Sequence, residues 1–103
     1  MGKRFLMGIL VLAILSVSMV SVAQQQVYKV ALVAPFTGSG SILGDYIRNA
    51  FVMAIEEINA KGGVRGRQID YVIYDDAASP ATSINVVNKA ILNDKVDAMF
   101  GPN

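Results

Sequence analysis

The residues best suited to chemistry lie in two short stretches, 37–45 and 75–76. The first stretch, T-G-S-G-S-I-L-G-D, is rich in hydroxyl groups and glycine and leads into a predicted helix. Hydroxyls and free backbone amides at a helix start can hydrogen bond a carboxylate or another small anion. The same composition fits a solvent-facing turn in which glycine and serine serve only geometry. Position alone leaves these two interpretations even, so Thr37, Gly38 and Ser41 are candidate ligand contacts.

A dinucleotide site is a sharper alternative for the same loop. Gly38-Ser39-Gly40 begins like the G-x-G-x-x-G motif that holds a pyrophosphate. The third glycine of that motif would fall at position 43, which is leucine, and glycine comes one residue late. Because the spacing is broken, a dinucleotide is not expected. No other cofactor is expected either.

Asp75 and Asp76 could form a metal-binding or acid–base pair, because neighbouring carboxylates shift each other's pKa. Adjacent residues at a strand end tend to point apart, however, and aspartate is common just before a helix for its capping value. A carboxylate pair without a third ligand is weak evidence for a metal site. We therefore expect a structural role for both residues, with an exported α/β enzyme as a minor alternative.

The composition of the 103-residue chain excludes several kinds of site. The chain has no cysteine and no histidine, so it has no thiolate or imidazole metal site and no Ser-His or Cys-His catalytic pair. Without its first 23 residues the chain carries seven basic and eight acidic groups, a net charge of −1. It has no basic patch with interleaved aromatic residues, so nucleic acid is not an expected partner.

Residues 1–23 have the three-part form of a secretory signal peptide. Two basic residues precede an uncharged apolar run from Phe5, and small residues stand at Ser21 and Ala23. We expect cleavage after Ala23. The alternative is an uncleaved membrane anchor, since the uncharged run approaches the roughly 20 residues that span a bilayer. Serines and the glutamine run at 24–26 interrupt it, which favours cleavage.

Hydrophobic patterning predicts strands and helices in strict alternation. Residues 28–34 are almost continuously apolar, as in strands that are covered on both faces of a parallel sheet. Apolar residues then recur at helical spacing over residues 45–61, where Asp45 can cap the helix and Gly62-Gly63 can end it. The remaining predicted elements are a strand over residues 68–74, a helix over residues 79–93 that Ser79 caps ahead of Pro80, and a strand over residues 96–100.

The order βαβαβ predicts a three-stranded parallel α/β sheet with right-handed crossovers. Tyr71 and Tyr74 are expected to cover this sheet. Arg65 and Arg67 are expected to form a solvated turn between the first helix and the second strand.

Five blocks of the sequence together form a recognisable pattern: V-A-L-V-A-P-F-T-G at 30–38, Gly44-Asp45, A-I-E-E-I-N-A-K-G-G-V-R-G-R at 54–67, the pairs Asp75-Asp76 and Ser79-Pro80, and D-A-M-F-G-P at 97–102. The most specific is the helix-ending block, with Gly62, Gly63 and Gly66, followed by the two aspartates. Over residues 27–103 the chain resembles the start of a type I periplasmic binding protein, of the branched-chain amino acid branch that serves ABC transporters.

The resemblance implies a two-lobed protein of several hundred residues, with three-layer, Rossmann-like α/β lobes that close around a small ligand. Residues 24–103 would be the first, incomplete part of the amino-terminal lobe, and most ligand-binding residues would lie beyond Asn103. The implied protein is periplasmic and not an enzyme, and it would deliver an amino acid or similar ligand to a membrane permease. A membrane sensor with the same fold is the alternative.

The resemblance also implies one further site residue. In the family, a residue just before the Gly-Asp pair lies against the ligand side chain and is often aromatic. The matching residue is Leu43, which cannot stack as an aromatic ring does.

Overall fold

The computed structural model describes Gly2 and residues 26–102, so the predicted cleavage site after Ala23 lies outside the described residues, as does nearly all of the predicted signal peptide. The elements alternate as the sequence predicts. They are β1 (Tyr28–Ala34), a 3-10 turn (Gly38–Gly40), α1 (Ser41–Ala60), β2 (Ile69–Asp75), α2 (Pro80–Leu92) and β3 (Ala98–Phe100).

The three strands form one parallel sheet in the order β2-β1-β3. Strand β1 pairs with β2 along its whole length, from Tyr28 opposite Ile69 to Ala34 opposite Asp75. On its other side, β1 pairs with β3, from Val30 opposite Ala98 to Leu32 opposite Phe100. The predicted parallel α/β sheet is therefore confirmed, with β1 at its centre and the carboxyl ends of all three strands at one edge.

Strand β1 supplies most of the core. Residues 30–34 are all buried, and because side chains alternate between faces, such a run needs cover on both sides of the sheet. Helix α1 packs on the face of Val30 and Leu32. Helix α2 contacts β1 and β2, and a right-handed crossover places it on the opposite face. The predicted three-layer arrangement is confirmed.

Aromatic side chains cover the sheet on both faces. Phe51 of α1 meets Tyr71 and Phe100 edge to face, with ring centroids 5.6 Å apart in each pair. On the other face the Tyr74 hydroxyl donates a hydrogen bond to Asp94, just after α2. This bond, with a smaller effect of burial, raises the pKa of Tyr74. Tyr71 and Tyr74 thus join the strands to the helices on either side.

Helix α1 begins at Ser41, four residues before the predicted start, and the predicted cap at Asp45 is wrong. Gly40 occupies the N-cap position without a side-chain hydrogen bond. The 3-10 turn runs directly into the helix, and the Ser41 amide already donates to the Gly38 carbonyl. Asp45 instead lies on the helix surface, where its carboxylate is 2.6 Å from the Arg48 guanidinium.

Strand β3 begins at Ala98, two residues later than predicted, because Asp97 makes a different pairing. The Asp97 amide donates to the Lys29 carbonyl at 2.7 Å, but the Lys29 amide donates to the Asp97 side chain at 2.8 Å. The Asp97 carboxylate thus accepts the Lys29 hydrogen bond that a backbone carbonyl would accept in a regular strand pair. Strand β2 is shifted by a single residue from its predicted range.

The turn between α1 and β2 is less solvated than predicted. Arg65 is exposed, but the Arg67 guanidinium lies 3.8 Å from the centre of the Tyr28 ring. Arg67 Nε also donates to the Gln26 carbonyl at 2.8 Å. Arg67 therefore ties the turn to the start of β1, and the prediction of a solvated side chain is wrong for this residue.

Helix α1 ends in a glycine turn in which the two glycines should differ in their tolerance of alanine. Gly62 and Gly63 both have positive φ, 99° and 79°, so alanine at either position loses about 1 kcal/mol of stability. A Cβ on Gly63 would lie 2.0 Å from the Arg67 carbonyl oxygen, whereas one on Gly62 would meet no described atom within 4 Å. We expect urea unfolding to show that Gly63→Ala lowers the free energy of unfolding by about 1–3 kcal/mol more than Gly62→Ala does. Equal losses for Gly62→Ala and Gly63→Ala would contradict this packing.

Candidate functional site

The candidate site lies at the carboxyl edge of the sheet, where three loops meet. Within the sheet, β2 lies on one side of β1 and β3 lies on the other side. The direction in which successive strands are added therefore reverses after β2. In open α/β sheets, ligands bind in the crevice that such a reversal of strand order creates. The loop from β1 to α1 and the segment after β3 border this crevice.

The predicted ligand contacts all lie on the loop after β1 or the first turn of α1. Thr37 and Gly38 are exposed in the loop, and Ser41 is the half-buried first residue of the helix. Leu43 lies in the first helical turn with 58% of its surface exposed. The structure brings the four residues to the carboxyl edge of the sheet, and their contact with a ligand remains a prediction.

Asp75 connects the loop after β1 to the loop after β2. Its Oδ1 accepts hydrogen bonds from the Phe36 amide at 2.9 Å and the Ala77 amide at 2.8 Å. Its Oδ2 accepts one from the Thr37 hydroxyl at 2.6 Å. These donors, the Thr37 hydroxyl above all, stabilise the charged form and lower the pKa of Asp75 to about 2.

Asp76 points to a different set of partners. It is only 2% exposed, and its carboxylate accepts hydrogen bonds from the Ala78 amide and the Ser83 hydroxyl, each at 3.0 Å. Its own amide donates to the Ala34 carbonyl at 3.2 Å. Asp76 thus holds α2 against the end of β1, while Asp75 holds the loop after β1. Within residues 26–102 no cluster of three or more His, Cys, Asp or Glu side chains could bind a metal ion.

The first residues of α1 approach the end of β1 very closely. Gly44 is buried, and a Cβ at this position would lie 1.9 Å from the Pro35 carbonyl oxygen. Only glycine permits this approach of a helix to a strand end. Gly44 therefore sets the position of the loop that carries Thr37 and Gly38.

Two clefts among the described residues lie close to the sheet, and neither includes the predicted ligand contacts. One, of about 410 Å³, lies between α1 and the sheet and has only apolar side chains around it. The other, of about 380 Å³, lies beside the loop after β2 and is lined by Asp76, Ser83 and Pro102, among others. The loop of Thr37 instead presents an open surface, which a ligand could occupy only with a second surface to enclose it.

Comparison with known proteins identifies the family. The periplasmic binding protein family matches residues 27–103. This chain belongs to the periplasmic binding protein family. One relative is the leucine-, isoleucine-, valine-, threonine- and alanine-binding protein of Pseudomonas aeruginosa, which is 47% identical over 73 residues. The match covers 71% of this chain and 19% of the relative.

Solved structures of substrate-binding proteins share the fold of this periplasmic binding protein. The branched-chain amino acid transporter substrate-binding protein LivJ of Streptococcus pneumoniae, in complex with isoleucine, has a TM-score of 0.72 and 30% identity, over 75% of this chain and 22% of LivJ. An ABC transporter solute-binding protein of Rhodopseudomonas palustris, in complex with 3,4-dihydroxybenzoic acid, has a TM-score of 0.64 and 33% identity, over 71% of this chain and 20% of that one. This periplasmic binding protein therefore spans about a fifth of the length of the relatives it matches.

No helix among residues 26–102 of this periplasmic binding protein has the length and apolar character needed to cross a membrane.

Sequence reasoning missed the bond between Thr37 and Asp75. It placed Thr37 in the loop after the first strand and Asp75 at the end of the second strand. The bond between them depends on the register of these strands, in which Ala34 lies directly opposite Asp75. The predicted parallel order could have indicated this contact, because neighbouring parallel strands end at the same edge of the sheet.

The lowered pKa of Asp75 makes the stability of this periplasmic binding protein depend on pH. The pKa is about 2 in the folded chain, against an ordinary value of 3.8, so the ionised form contributes stability above about pH 4. That contribution is lost as the pH falls towards 2. We expect the stability difference between the wild type and Asp75→Asn, from urea unfolding at several pH values, to be largest above pH 4. It should shrink on acidification, and a difference that grows between pH 4 and pH 3 would contradict the assignment.

Proposed function

We propose that this periplasmic binding protein captures an amino acid with an aliphatic side chain outside the cytoplasm and delivers it to the permease of an ABC transporter. The observation that carries the proposal is the composition of the loop at the crevice, where the hydroxyl-bearing Thr37 and Ser41 lie close in sequence to the exposed Leu43. A polar group and an apolar group side by side suit a ligand that is charged at one end and aliphatic at the other.

Leu43 would contact the ligand side chain. An exposed leucine offers a flexible aliphatic surface, which suits leucine, isoleucine or valine and offers no ring for stacking. The relative from Pseudomonas aeruginosa is described as binding such amino acids. The solute-binding protein of Rhodopseudomonas palustris holds an aromatic acid instead, so the ligand test includes that compound.

The remaining parts of the proposal concern location and organisation. Residues 1–23 would be a signal peptide cleaved after Ala23, and residues 24–103 would form the first part of a lobe that closes by hinge motion on a second lobe. The proposed protein has no catalytic activity. Both candidate carboxylates, Asp75 and Asp76, accept hydrogen bonds from neighbouring loops and helix α2, as structural residues do.

The test begins with the coding DNA downstream of codon 103 and continues with the full-length gene product. We expect an open frame of several hundred codons, and calorimetry should show binding of leucine, isoleucine or valine that is tighter than binding of glutamate, lysine or 3,4-dihydroxybenzoate. Absence of binding to every amino acid would refute the proposal. A downstream transmembrane helix with a signalling domain would indicate a membrane sensor instead.

A further inference from the structure

The amino end of β1 is held by side chains from the segments that precede both neighbouring strands. Just before β2, Arg67 Nε donates a hydrogen bond to the Gln26 carbonyl at 2.8 Å, and its guanidinium lies 3.8 Å from the centre of the Tyr28 ring. Just before β3, the Asp97 carboxylate accepts from the Lys29 amide at 2.8 Å. The first residues of the central strand are therefore fixed as well as its middle.

The contacts of Arg67 extend this order beyond the strand itself. Strand β1 begins at Tyr28, whose amide donates to the Gln68 carbonyl at 2.9 Å. The hydrogen bond from Arg67 reaches two residues further towards the amino end. Gln26 is exposed, so the position of its carbonyl depends on this bond and not on burial in the core.

The residue held by Arg67 lies close in sequence to the proposed cleavage point. Gln26 is the third residue after Ala23, and three residues of fully extended chain span about 10 Å. A protease binds residues on both sides of the bond that it cuts. Where some of those residues belong to a folded region, cleavage requires that this region first open locally.

We propose that Arg67 closes the processing site once this segment has folded, so that the signal peptide must be removed before β1 pairs with its neighbours. The inference rests on the proposed function, which supplies the signal peptide, and goes beyond it by assigning an order to cleavage and folding. A chain that folded first would retain the apolar run that begins at Phe5, whose length approaches that of a membrane span. Such a chain would stay attached to the membrane.

The test measures how fast purified signal peptidase cleaves the precursor of the full-length gene product. The protease is added either to folded precursor or at the moment of dilution from urea, before folding is complete. We expect cleavage of the folded wild-type precursor to be slower by about tenfold or more. Folded Arg67→Ala precursor should be cleaved about tenfold faster than folded wild type, because it lacks both the hydrogen bond and the cation–π contact that keep the amino end closed.

Two variants in the same turn are matched controls. Gly62→Ala should destabilise the fold through the positive φ of that residue, but its added Cβ would meet no described atom within 4 Å. Arg65→Ala removes the same charge as Arg67→Ala from an exposed position. Both should leave the cleavage rate of folded precursor within about twofold of the wild type. An acceleration in Gly62→Ala equal to that in Arg67→Ala would show that overall stability, and not Arg67, controls access.

An insertion of six Gly and Ser residues between Gln25 and Gln26 provides a second measurement, in which Arg67 is unchanged. It moves the cleavage point away from the folded segment by up to about 20 Å, so the folded precursor should be cleaved as fast as precursor diluted from urea. Slow cleavage of the folded insertion variant would contradict the proposal, even if Arg67→Ala fails to fold. Equally fast cleavage of folded and diluted wild type refutes only the role of Arg67, whereas no cleavage of any form refutes the proposed signal peptide itself.

Discussion

Gly44→Ala is expected to destabilise the protein, although alanine is the better helix former. Alanine in a helix interior is favoured over glycine by about 1 kcal/mol. At this position, however, the added Cβ would lie 1.9 Å from the Pro35 carbonyl oxygen and 3.1 Å from a Phe36 ring carbon. Backbone atoms at a strand end cannot move aside as a flexible side chain can. We expect a net loss of about 2 kcal/mol or more in the free energy of unfolding.

The same substitution should weaken ligand binding, because relief of the clash moves α1 away from the loop that carries Thr37. Urea unfolding and calorimetry with leucine on the full-length gene product measure the two effects. The matched control is Asp45→Ala, one residue along the helix, which removes only an exposed ion pair with Arg48 and should change stability by about 0.5 kcal/mol or less. A Gly44→Ala protein as stable as Asp45→Ala would show that α1 does not need this close approach.

Leu32→Ala and Leu43→Ala should have opposite effects, the first on stability and the second on ligand affinity. Leu32 lies at the centre of β1 and is 2% exposed, so its truncation leaves a cavity between the sheet and α1. The expected loss is about 2–5 kcal/mol. Leu43 is 58% exposed, and its truncation should change stability by about 0.5 kcal/mol or less.

Ligand affinity should fall in Leu43→Ala and not in Leu32→Ala. If Leu43 contacts the ligand side chain, Leu43→Ala should weaken leucine binding by about tenfold, as for the loss of one to two kcal/mol of apolar contact. Folded Leu32→Ala protein should bind within a few fold of the wild type, because Leu32 is buried between the sheet and α1. The same pair of measurements, urea unfolding and calorimetry, checks both. Unchanged leucine affinity in Leu43→Ala would remove this residue from the site.

The fold was largely predictable because the strongest features of the sequence are also the core. The continuous apolar run over residues 30–34, stopped by Pro35, gave the bounds of β1 correctly. The start of α1 was not predictable from local preference, since Gly40 and Gly44 are poor helix formers. The helix begins there because the 3-10 turn and the contact of Gly44 with Pro35 hold it in place, and both are tertiary features.

The candidate site was predictable in its location and not in the hydrogen bond that joins its loops. Parallel strands that end at one edge bring the loops after β1 and β2 together, as the βαβαβ order requires. The direction of the Thr37 proton depends on a single 2.6 Å contact with Asp75, and that contact depends on the register of two strands. A pattern of residue types does not specify the register of two strands, so the bond between Thr37 and Asp75 could not be predicted from it.

The central position of β1 has a consequence for the newly synthesised chain. Strand β1 is made first, yet its two partners in the sheet follow about 40 and about 70 residues later. Pairing over such separations requires the closure of long loops and is slow compared with helix formation. The ribosome must therefore release nearly all of this segment before its sheet can be completed. A chain that folds so late in its own synthesis stays extended for longer, which suits a protein proposed to be threaded across a membrane before it folds.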